Sequence, residues 1–119
     1  MKGTTMSDCL FCKICEGKIP ATITYRDEDV VAFKDIGPKA PLHELVIPIR
    51  HIPSLAVAGA EDAALLGKLM IVASNQVRAA GFAESGFRVV MNAGPGAGQT
   101  VAHVHLHVLA GRPLGWPPG

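Results

Sequence analysis

The chain has 119 residues, of which 49% are apolar and 18% are charged, and its formal net charge is +1. That length is most simply one domain with its own core, and so large an apolar share excludes a disordered protein. The net charge is too small to provide a basic surface that neutralises phosphates, and only six residues are aromatic. General nucleic-acid binding is therefore not expected.

The sequence carries no signal for a membrane or for secretion. No window approaches the roughly 18 consecutive apolar residues of a transmembrane helix. The N-terminal M-K-G-T-T-M-S-D also lacks the apolar centre of a signal peptide. We therefore expect a cytoplasmic protein that contacts no membrane, with residues 1–8 as a flexible N-terminus and residues 9–119 as a single domain.

The first predicted elements are a short helix and three strands. The segment C-L-F-C-K-I-C-E-G, residues 9–17, has apolar residues at helical spacing and ends on a glycine suited to a C-cap. Alternating stretches at residues 23–26 and 30–33, separated by an acidic turn, predict a hairpin. A loop rich in proline and glycine follows at residues 35–41, and a third strand at residues 43–48.

The second half of the chain begins with the one long helix that the sequence predicts, at residues 61–80. Its leucines and valines recur with a period of 3.6, and a glycine follows its end. A fourth strand at residues 87–92 leads into a glycine-rich loop, A-G-P-G-A-G-Q, and a final strand runs from about residue 101 to residue 110. The pattern predicts an α+β fold with a mainly antiparallel sheet of about five strands, one long helix and a short N-terminal helix.

The final strand contains H-V-H-L-H-V-L, residues 103–109, which holds three of the five histidines. Because side chains alternate along a strand, His103, His105 and His107 share one face. A His-x-His pair with a third nitrogen could chelate zinc. Alternatively, one imidazole could act as a nucleophile while its neighbours fix its tautomer and its charge. The glycine-rich loop directly before the strand favours the second chemistry, since its N–H groups could approach a phosphate.

These motifs resemble the histidine triad (HIT) superfamily of nucleotide hydrolases and transferases. H-V-H-L-H-V-L matches the superfamily signature His-φ-His-φ-His-φ-φ. The stretches from I-P-A-T-I-T-Y-R-D-E-D-V-V-A-F-K-D-I-G-P to the terminal W-P-P-G are similar to the HINT branch, which contains purine nucleoside phosphoramidases. The resemblance implies a HIT-like fold and a homodimer, in which the long helix and the fourth strand pair the subunits into one sheet of about ten strands.

The resemblance also implies the chemistry, which is the hydrolysis of AMP-linked phosphoramidates through a nucleotidyl-histidine intermediate. His105 would be the nucleophile and His107 would hydrogen-bond the α-phosphate. His43 and His103 would complete the catalytic histidine network. Thr100 stands where close relatives have a serine, and its hydroxyl would protonate the leaving amine. No metal or redox cofactor is needed for this chemistry, because imidazole is already a good nucleophile near neutral pH.

The nucleotide pocket follows from the same resemblance. Asp35 would accept hydrogen bonds from the ribose hydroxyls, a task suited to a carboxylate. The residues around the nucleotide would be Phe33 and Ile36 at the base, with Asn92, Gly98, Gln99 and Thr100 around the phosphate and the leaving group. Trp116 in the tail would lie near an active-site mouth, its own or that of a partner subunit.

Three cysteines, Cys9, Cys12 and Cys15, lie within seven residues of one another. An odd number at this spacing is a poor disulfide framework, and the βαβ context of a thioredoxin-like redox motif is missing. Bacterial-type triad proteins often carry such an N-terminal pair. The resemblance therefore implies a structural zinc held by Cys9, Cys12, His51 and His103, a familiar Cys₂His₂ set, with Cys15 as a buried thiol.

Other functions stay open from the sequence. The same pocket could serve a nucleotide-binding regulatory protein whose slow hydrolysis is incidental. It could also hydrolyse dinucleoside polyphosphates, as in the Fhit branch, although the W-P-P-G ending and the Thr100 hydroxyl favour a phosphoramidase. A catalytic zinc site that uses all three histidines of the final strand is a further alternative.

Overall fold

The structure is a computed structural model that describes residues 8–119. The expected flexible segment, residues 1–8, therefore lies outside the described residues except for Asp8. The helices are α1 (Leu10–Cys15) and α2 (Ala63–Ala79). The strands are β1 (Ile23–Arg26), β2 (Val30–Lys34), β3 (Leu42–Pro48), β4 (Phe87–Val90) and β5 (Leu106–Ala110), and single 3₁₀ turns lie at Leu55–Val57, Ala60–Asp62 and Pro95–Ala97.

The five strands form one antiparallel sheet in the order β1-β2-β3-β5-β4. Helix α2 covers one face, where its buried residues Leu69, Val72 and Val77 join a core with Val46 of β3 and Leu106 of β5. The predicted α+β fold, with one long helix over an antiparallel sheet, is confirmed. Among the described residues, no helix is long and apolar enough to cross a bilayer.

Helix α1 packs on the opposite face of the sheet. Its buried residues Phe11 and Ile14 form a second core with Phe33 of β2 and Leu45 of β3. Residues 30–33 of β2 are all buried, because one half of them faces each core. Helix α1 therefore lies on the face of the sheet opposite to α2, and every second side chain of β5 points towards it.

Strand β5 begins at Leu106, whereas the alternation predicted a strand from about residue 101. The register with β3 pairs Val46 with Leu106, so its continuation would place Pro48 opposite Val104. Proline has no N–H to donate to a ladder, and β3 ends there. Of the three alternating histidines, only His107 belongs to the ladder. The other boundaries differ less: α2 starts after a 3₁₀ turn, and β4 ends at Val90.

Candidate functional site

A cavity of about 300 Å³ lies between α1 and the histidine-bearing face of the sheet. Its polar lining consists of Lys34, Asp35, Thr100, His105 and His107. The rest of its lining is apolar and comes from Leu10, Phe11, Ile14, Ile19, Pro20, Ala21, Phe33, Ile36, Leu45 and Val101. A mainly apolar cavity of this size with a few convergent polar groups is the usual form of a small-molecule site.

His105 is held in one tautomer. The residue is 5% exposed, and its Nδ1 lies 2.8 Å from the backbone oxygen of His103. A carbonyl oxygen can only accept, so Nδ1 carries the proton and donates it. The lone pair of a neutral imidazole is then on Nε2, which receives no hydrogen bond from the described residues. An imidazole with a bound Nδ1–H and an available Nε2 has the form required of a nucleophile.

A chain of hydrogen bonds also fixes the tautomers of His43 and His107. The backbone N–H of Lys39 donates to Nδ1 of His43 at 3.0 Å, so the proton of neutral His43 is on Nε2. Nε2 of His43 lies 3.0 Å from Nδ1 of His107 and donates to it. His107 therefore carries its own proton on Nε2 and can donate it to a ligand in the cavity that it lines.

Burial keeps these two histidines neutral. Removal from water lowers the pKa of His43 and of His107 below the usual value of 6.5. The Asp35 carboxylate opposes this shift, because Oδ2 lies 3.5 Å from His43 Nε2 and 4.0 Å from His107 Nδ1. Its other oxygen, Oδ1, accepts from the N–H of Gly37 at 2.7 Å. Near neutral pH the rings of His43 and His107 are therefore uncharged.

A second cavity of about 490 Å³ adjoins the first at His107. Both cavities are lined by Asp35, Ile36 and His107, and the second adds His43 and Asn92. Ile36 is fully exposed, so this apolar side chain stands in water at the cavity wall. Most of the predicted nucleotide-site residues are thus brought to one surface.

The glycine-rich loop is braced by Gln99. The side-chain oxygen of Gln99 accepts from the N–H of Gly94 at 2.8 Å, and its amide nitrogen donates to Pro53 O at 2.7 Å and to Val101 O at 3.0 Å. The N–H groups of Ala97, Gly98 and Gln99 bond to carbonyls within the loop. Gly98 has φ +86°, the left-handed conformation that favours glycine. Neither Gly98 nor Gln99 lines the two cavities, and their contact with a phosphate stays a prediction.

Two cysteines and two histidines meet beside the first cavity. Cys12 Sγ lies 3.3 Å from His51 Nδ1 and 3.6 Å from His103 Nδ1. Cys9 Sγ lies 3.4 Å from His103 Nδ1, and the two Nδ1 atoms are 3.2 Å apart. A tetrahedral zinc would have edges of about 3.6 Å between nitrogen and sulfur and about 3.3 Å between two nitrogens. The four ligand atoms fit such an ion.

The surroundings of His103 support the same reading. Its Nε2 lies 2.8 Å from the carbonyl oxygen of Pro48, so Nε2 carries the proton and Nδ1 is left to bind a metal. Burial lowers the pKa of His103 to about 4 and also lowers the pKa of His51. Both rings are therefore neutral at ordinary pH, as metal ligation requires.

A second group, Asp35, His43 and His107, also has ligand atoms within 4.8 Å of one another. Here the hydrogen bonds disfavour a metal. The N–H of Lys39 already occupies the Nδ1 lone pair of His43, and a metal on Nε2 would leave that ring without its proton. The two clusters thus have different chemistry: the cysteine cluster suits a metal, and the Asp35 cluster suits proton donation.

Cys15 and Trp116 lie outside both the metal cluster and the two cavities. Burial raises the pKa of the Cys15 thiol to about 11, and Cys15 is not part of the four-residue cluster. Trp116 is 84% exposed and lines neither cavity. Phe11 was not predicted to belong to the site, yet its ring lies edge-on to the rings of His105 and His103, with centroid distances of 5.1 Å and 5.8 Å. Its position between Cys9 and Cys12 was the available signal.

The sequence is similar to a known family of proteins. The family model described as the HIT domain matches residues 16–114. An uncharacterised HIT-like protein of Synechocystis sp. is 48% identical over 112 residues, which is 94% of this chain and 97% of that protein.

Solved structures show the same likeness. The structure of a HIT family hydrolase from Legionella pneumophila superposes with a TM-score of 0.93. Its sequence is 46% identical, and the match covers 94% of this chain and 100% of that chain. A HIT family hydrolase from Clostridium thermocellum is 42% identical, with a TM-score of 0.90 over 93% of this chain and 96% of that chain. Similarity in sequence and fold therefore extends over nearly the whole chain.

Proposed function

This chain belongs to the HIT domain family, and from that premise we propose that it is a hydrolase of purine nucleoside phosphoramidates, with AMP-linked amines as its main substrates. The observation that carries the proposal is the hydrogen bond from Nδ1 of His105 to the His103 carbonyl, 2.8 Å long. It leaves a nucleophilic Nε2 in a cavity that also contains the N–H donor His107 and the carboxylate Asp35.

In the first step, the Nε2 lone pair of His105 attacks the α-phosphorus. An Nε2–P bond forms, and the bond between phosphorus and the amine nitrogen breaks. The amine nitrogen keeps the electron pair of that bond and takes a proton from the Thr100 hydroxyl. The imidazole of the intermediate is positively charged, and the hydrogen bond from its Nδ1–H to the His103 carbonyl stabilises this charge.

In the second step, a water molecule attacks phosphorus and the Nε2–P bond breaks. The electron pair returns to Nε2, and one water proton restores the Thr100 hydroxyl. The products are the nucleoside monophosphate and the free amine. In both steps the Nε2–H of His107 donates to a non-bridging phosphate oxygen, where negative charge increases in the transition state.

The rest of the cavity suits a nucleoside. The apolar walls formed by Phe33 and Ile36 would contact the flat faces of a purine. The Asp35 carboxylate, held by the N–H of Gly37, retains lone pairs that can accept from the ribose hydroxyls. We assign Asn92 to the leaving-group side, because it lines the adjoining cavity with His43 and His107.

We assign a structural zinc to Cys9, Cys12, His51 and His103, which fit a tetrahedral ion. When bound, zinc would supply a closed four-coordinate crosslink and no open position for substrate. The ligands come from three separate parts of the chain: α1 with its N-cap residue Cys9, the segment after β3, and the segment before β5. The crosslink would therefore fasten α1 to the sheet beside the cavity.

We also propose a homodimer formed through α2 and β4. Strand β4 is an edge of the sheet, and an edge presents unpaired backbone groups that another chain can satisfy. On α2, Met70 is 49% exposed and Ile71 is 62% exposed, although both are large apolar residues. Pairing through this edge and helix would cover both features.

A substrate panel tests the activity. Purified protein is assayed with AMP and GMP phosphoramidates and with diadenosine polyphosphates. We expect the highest kcat/KM with an AMP phosphoramidate and the accumulation of an acid-labile nucleotidyl-protein after rapid quenching. Turnover near background with nucleotide binding retained would instead identify a binding protein. A preference for the diadenosine polyphosphates would instead indicate a dinucleoside polyphosphate hydrolase.

A further inference from the structure

We propose that the Cys9–Cys12–His51–His103 cluster positions the nucleophile, because the ring that binds the metal and the carbonyl that selects the His105 tautomer belong to the same residue, His103. The inference rests on the proposed function only in taking His105 as the nucleophile. His103 would then be a positioning residue: it touches no reacting atom, but it determines which nitrogen of His105 is available to react.

The sheet does not hold residues 103–105 in place. Strand β5 begins at Leu106, and the last paired residue of β3 on that side is Val46. His105 and the carbonyl of His103 therefore lie outside the ladder. Two backbone hydrogen bonds support the segment, from His103 N to Val101 O at 2.9 Å and from Val104 N to Ile52 O at 2.7 Å. Neither of them orients the His103 carbonyl.

Both nitrogens of the His103 ring are engaged. Nδ1 lies within the four-residue cluster, and Nε2 donates to Pro48 O at 2.8 Å. The side chain is completely buried. A ring fixed at both nitrogens fixes the Cα of its residue and leaves the backbone little freedom to rotate. Without the metal, Nδ1 would face two thiols and a second imidazole, which are weak or competing partners.

The position of Phe11 beside the His105 ring would also depend on the metal. Phe11 lies between Cys9 and Cys12 on α1, and its ring contacts His103 and His105 edge-on at 5.8 Å and 5.1 Å. Helix α1 has only six residues, and a helix of that length is not stable on its own. The metal would thus hold both the carbonyl in front of the His105 ring and the aromatic side chain beside it.

The test reads the tautomer of His105 directly. Protein labelled with ¹⁵N in its histidines is prepared with zinc and, after chelation, without it. Long-range ¹H–¹⁵N correlation spectra identify the protonated nitrogen of each ring, and the His105→Asn variant assigns the signals of His105. We expect pure Nδ1–H tautomer in the zinc form and a mixture of both tautomers in the metal-free form. Pure Nδ1–H tautomer in folded, metal-free protein would overturn the proposal.

Two variants make the comparison robust. Cys15→Ala removes a thiol of the same helix that is not in the cluster, and it should leave the tautomer unchanged at saturating zinc. His51→Gln removes the half-buried ligand and keeps the other three. It supplies the comparison if chelation unfolds the parent protein. Its mixture of tautomers should shift to pure Nδ1–H as zinc is added, and a mixture that does not respond to zinc would contradict the coupling.

A kinetic readout separates positioning from general damage. With an AMP phosphoramidate, metal removal should lower kcat about 10- to 100-fold while KM changes by less than about threefold. A loss of kcat without a change of tautomer would assign the effect to another cause. If zinc-loaded protein shows no turnover at all, the proposed function fails, whereas the tautomer comparison still decides the present inference.

Discussion

Nε2 of His43 lies 3.0 Å from Nδ1 of His107, and the proton of this hydrogen bond belongs to His43. The N–H of Lys39, bonded to Nδ1 of His43 at 3.0 Å, determines that assignment. The pair is therefore directional. While both rings are neutral, His107 offers an N–H to the cavity, which complements a phosphate oxygen.

The first prediction concerns pH. Because burial lowers the pKa of His43 and His107, protonation should disturb their hydrogen bond only below the usual 6.5. We expect kcat to stay constant as the pH falls through 6.5 and to decline at more acid pH. Asp35 raises both pKa values, so Asp35→Asn should move this decline to lower pH.

Lys39→Met is the matched opposite of Asp35→Asn. The Lys39 charge lowers the pKa of His43, so its removal should move the decline to higher pH while the backbone N–H stays in place. The measurement is kcat against pH for the parent and both variants. A shift to higher pH in Asp35→Asn would show that other groups control this limb of the profile.

The second prediction concerns the nucleophile. In His105→Asn, the amide nitrogen can still donate to the His103 carbonyl, but no Nε2 remains. We expect kcat to fall by about four orders of magnitude or more, with AMP affinity within a few-fold of the parent by calorimetry. Turnover within tenfold of the parent would exclude a nucleotidyl-His105 intermediate.

The third prediction concerns the leaving group. Thr100→Val replaces the hydroxyl by a methyl group of similar size beside the cavity. An amine must be protonated as it leaves, whereas fluoride leaves without a proton. We expect kcat with an AMP phosphoramidate to fall about 10²-fold or more and kcat with adenosine phosphorofluoridate to change little. Equal losses with both substrates would mean that Thr100 acts on the phosphate instead.

The fourth prediction concerns the metal. Purified protein should contain one zinc per chain, and zinc at about 100 times its Kd should stabilise the fold by about 2.7 kcal/mol, or roughly 10 °C in Tm. Cys9→Ala should abolish both the zinc content and the effect of added zinc on Tm. Cys15→Ala should retain them. Metal-free parent protein whose Tm does not respond to zinc would refute the site.

The fifth prediction concerns assembly. Ile71→Glu places a charge on the exposed apolar surface of α2 and should convert a dimer into a monomer in light scattering. Val57→Glu, at another exposed apolar residue that lies outside α2 and β4, is the control and should remain dimeric. A monomeric parent protein, or a dimer that tolerates Ile71→Glu, would contradict pairing through α2.

Most elements of the fold could be predicted from local hydrophobic patterns in the sequence. The alternation in residues 23–26 and 30–33 and the 3.6-residue period of the long helix predict elements whose bounds differ from the structure by only one or two residues. The start of β5 is different. Alternation continues through residues 101–105, but a strand also needs a partner, and Pro48 ends the one available. A sequence pattern describes side chains and does not reveal where a ladder ends.

For the candidate site, too, the side chains could be predicted and the backbone groups could not. The identities of the polar groups were predicted, and the structure brings Asp35, Asn92, Thr100, His105 and His107 to two adjoining cavities. Three backbone groups were not foreseen: the N–H of Lys39 and the carbonyls of Pro48 and His103. They determine which rings donate and which bind a metal. Every residue has such groups, so no residue type indicates them.

Ile36 stands fully in water on the wall shared by the two cavities. A purine seated against it would release ordered water from both surfaces, so binding should carry a negative change in heat capacity. Burial of apolar surface also contributes less at low temperature. The affinity for the base would therefore weaken on cooling, whereas the polar contacts to the phosphate would not follow that trend. Measuring the affinity at several temperatures would then distinguish the contribution of the base from that of the phosphate.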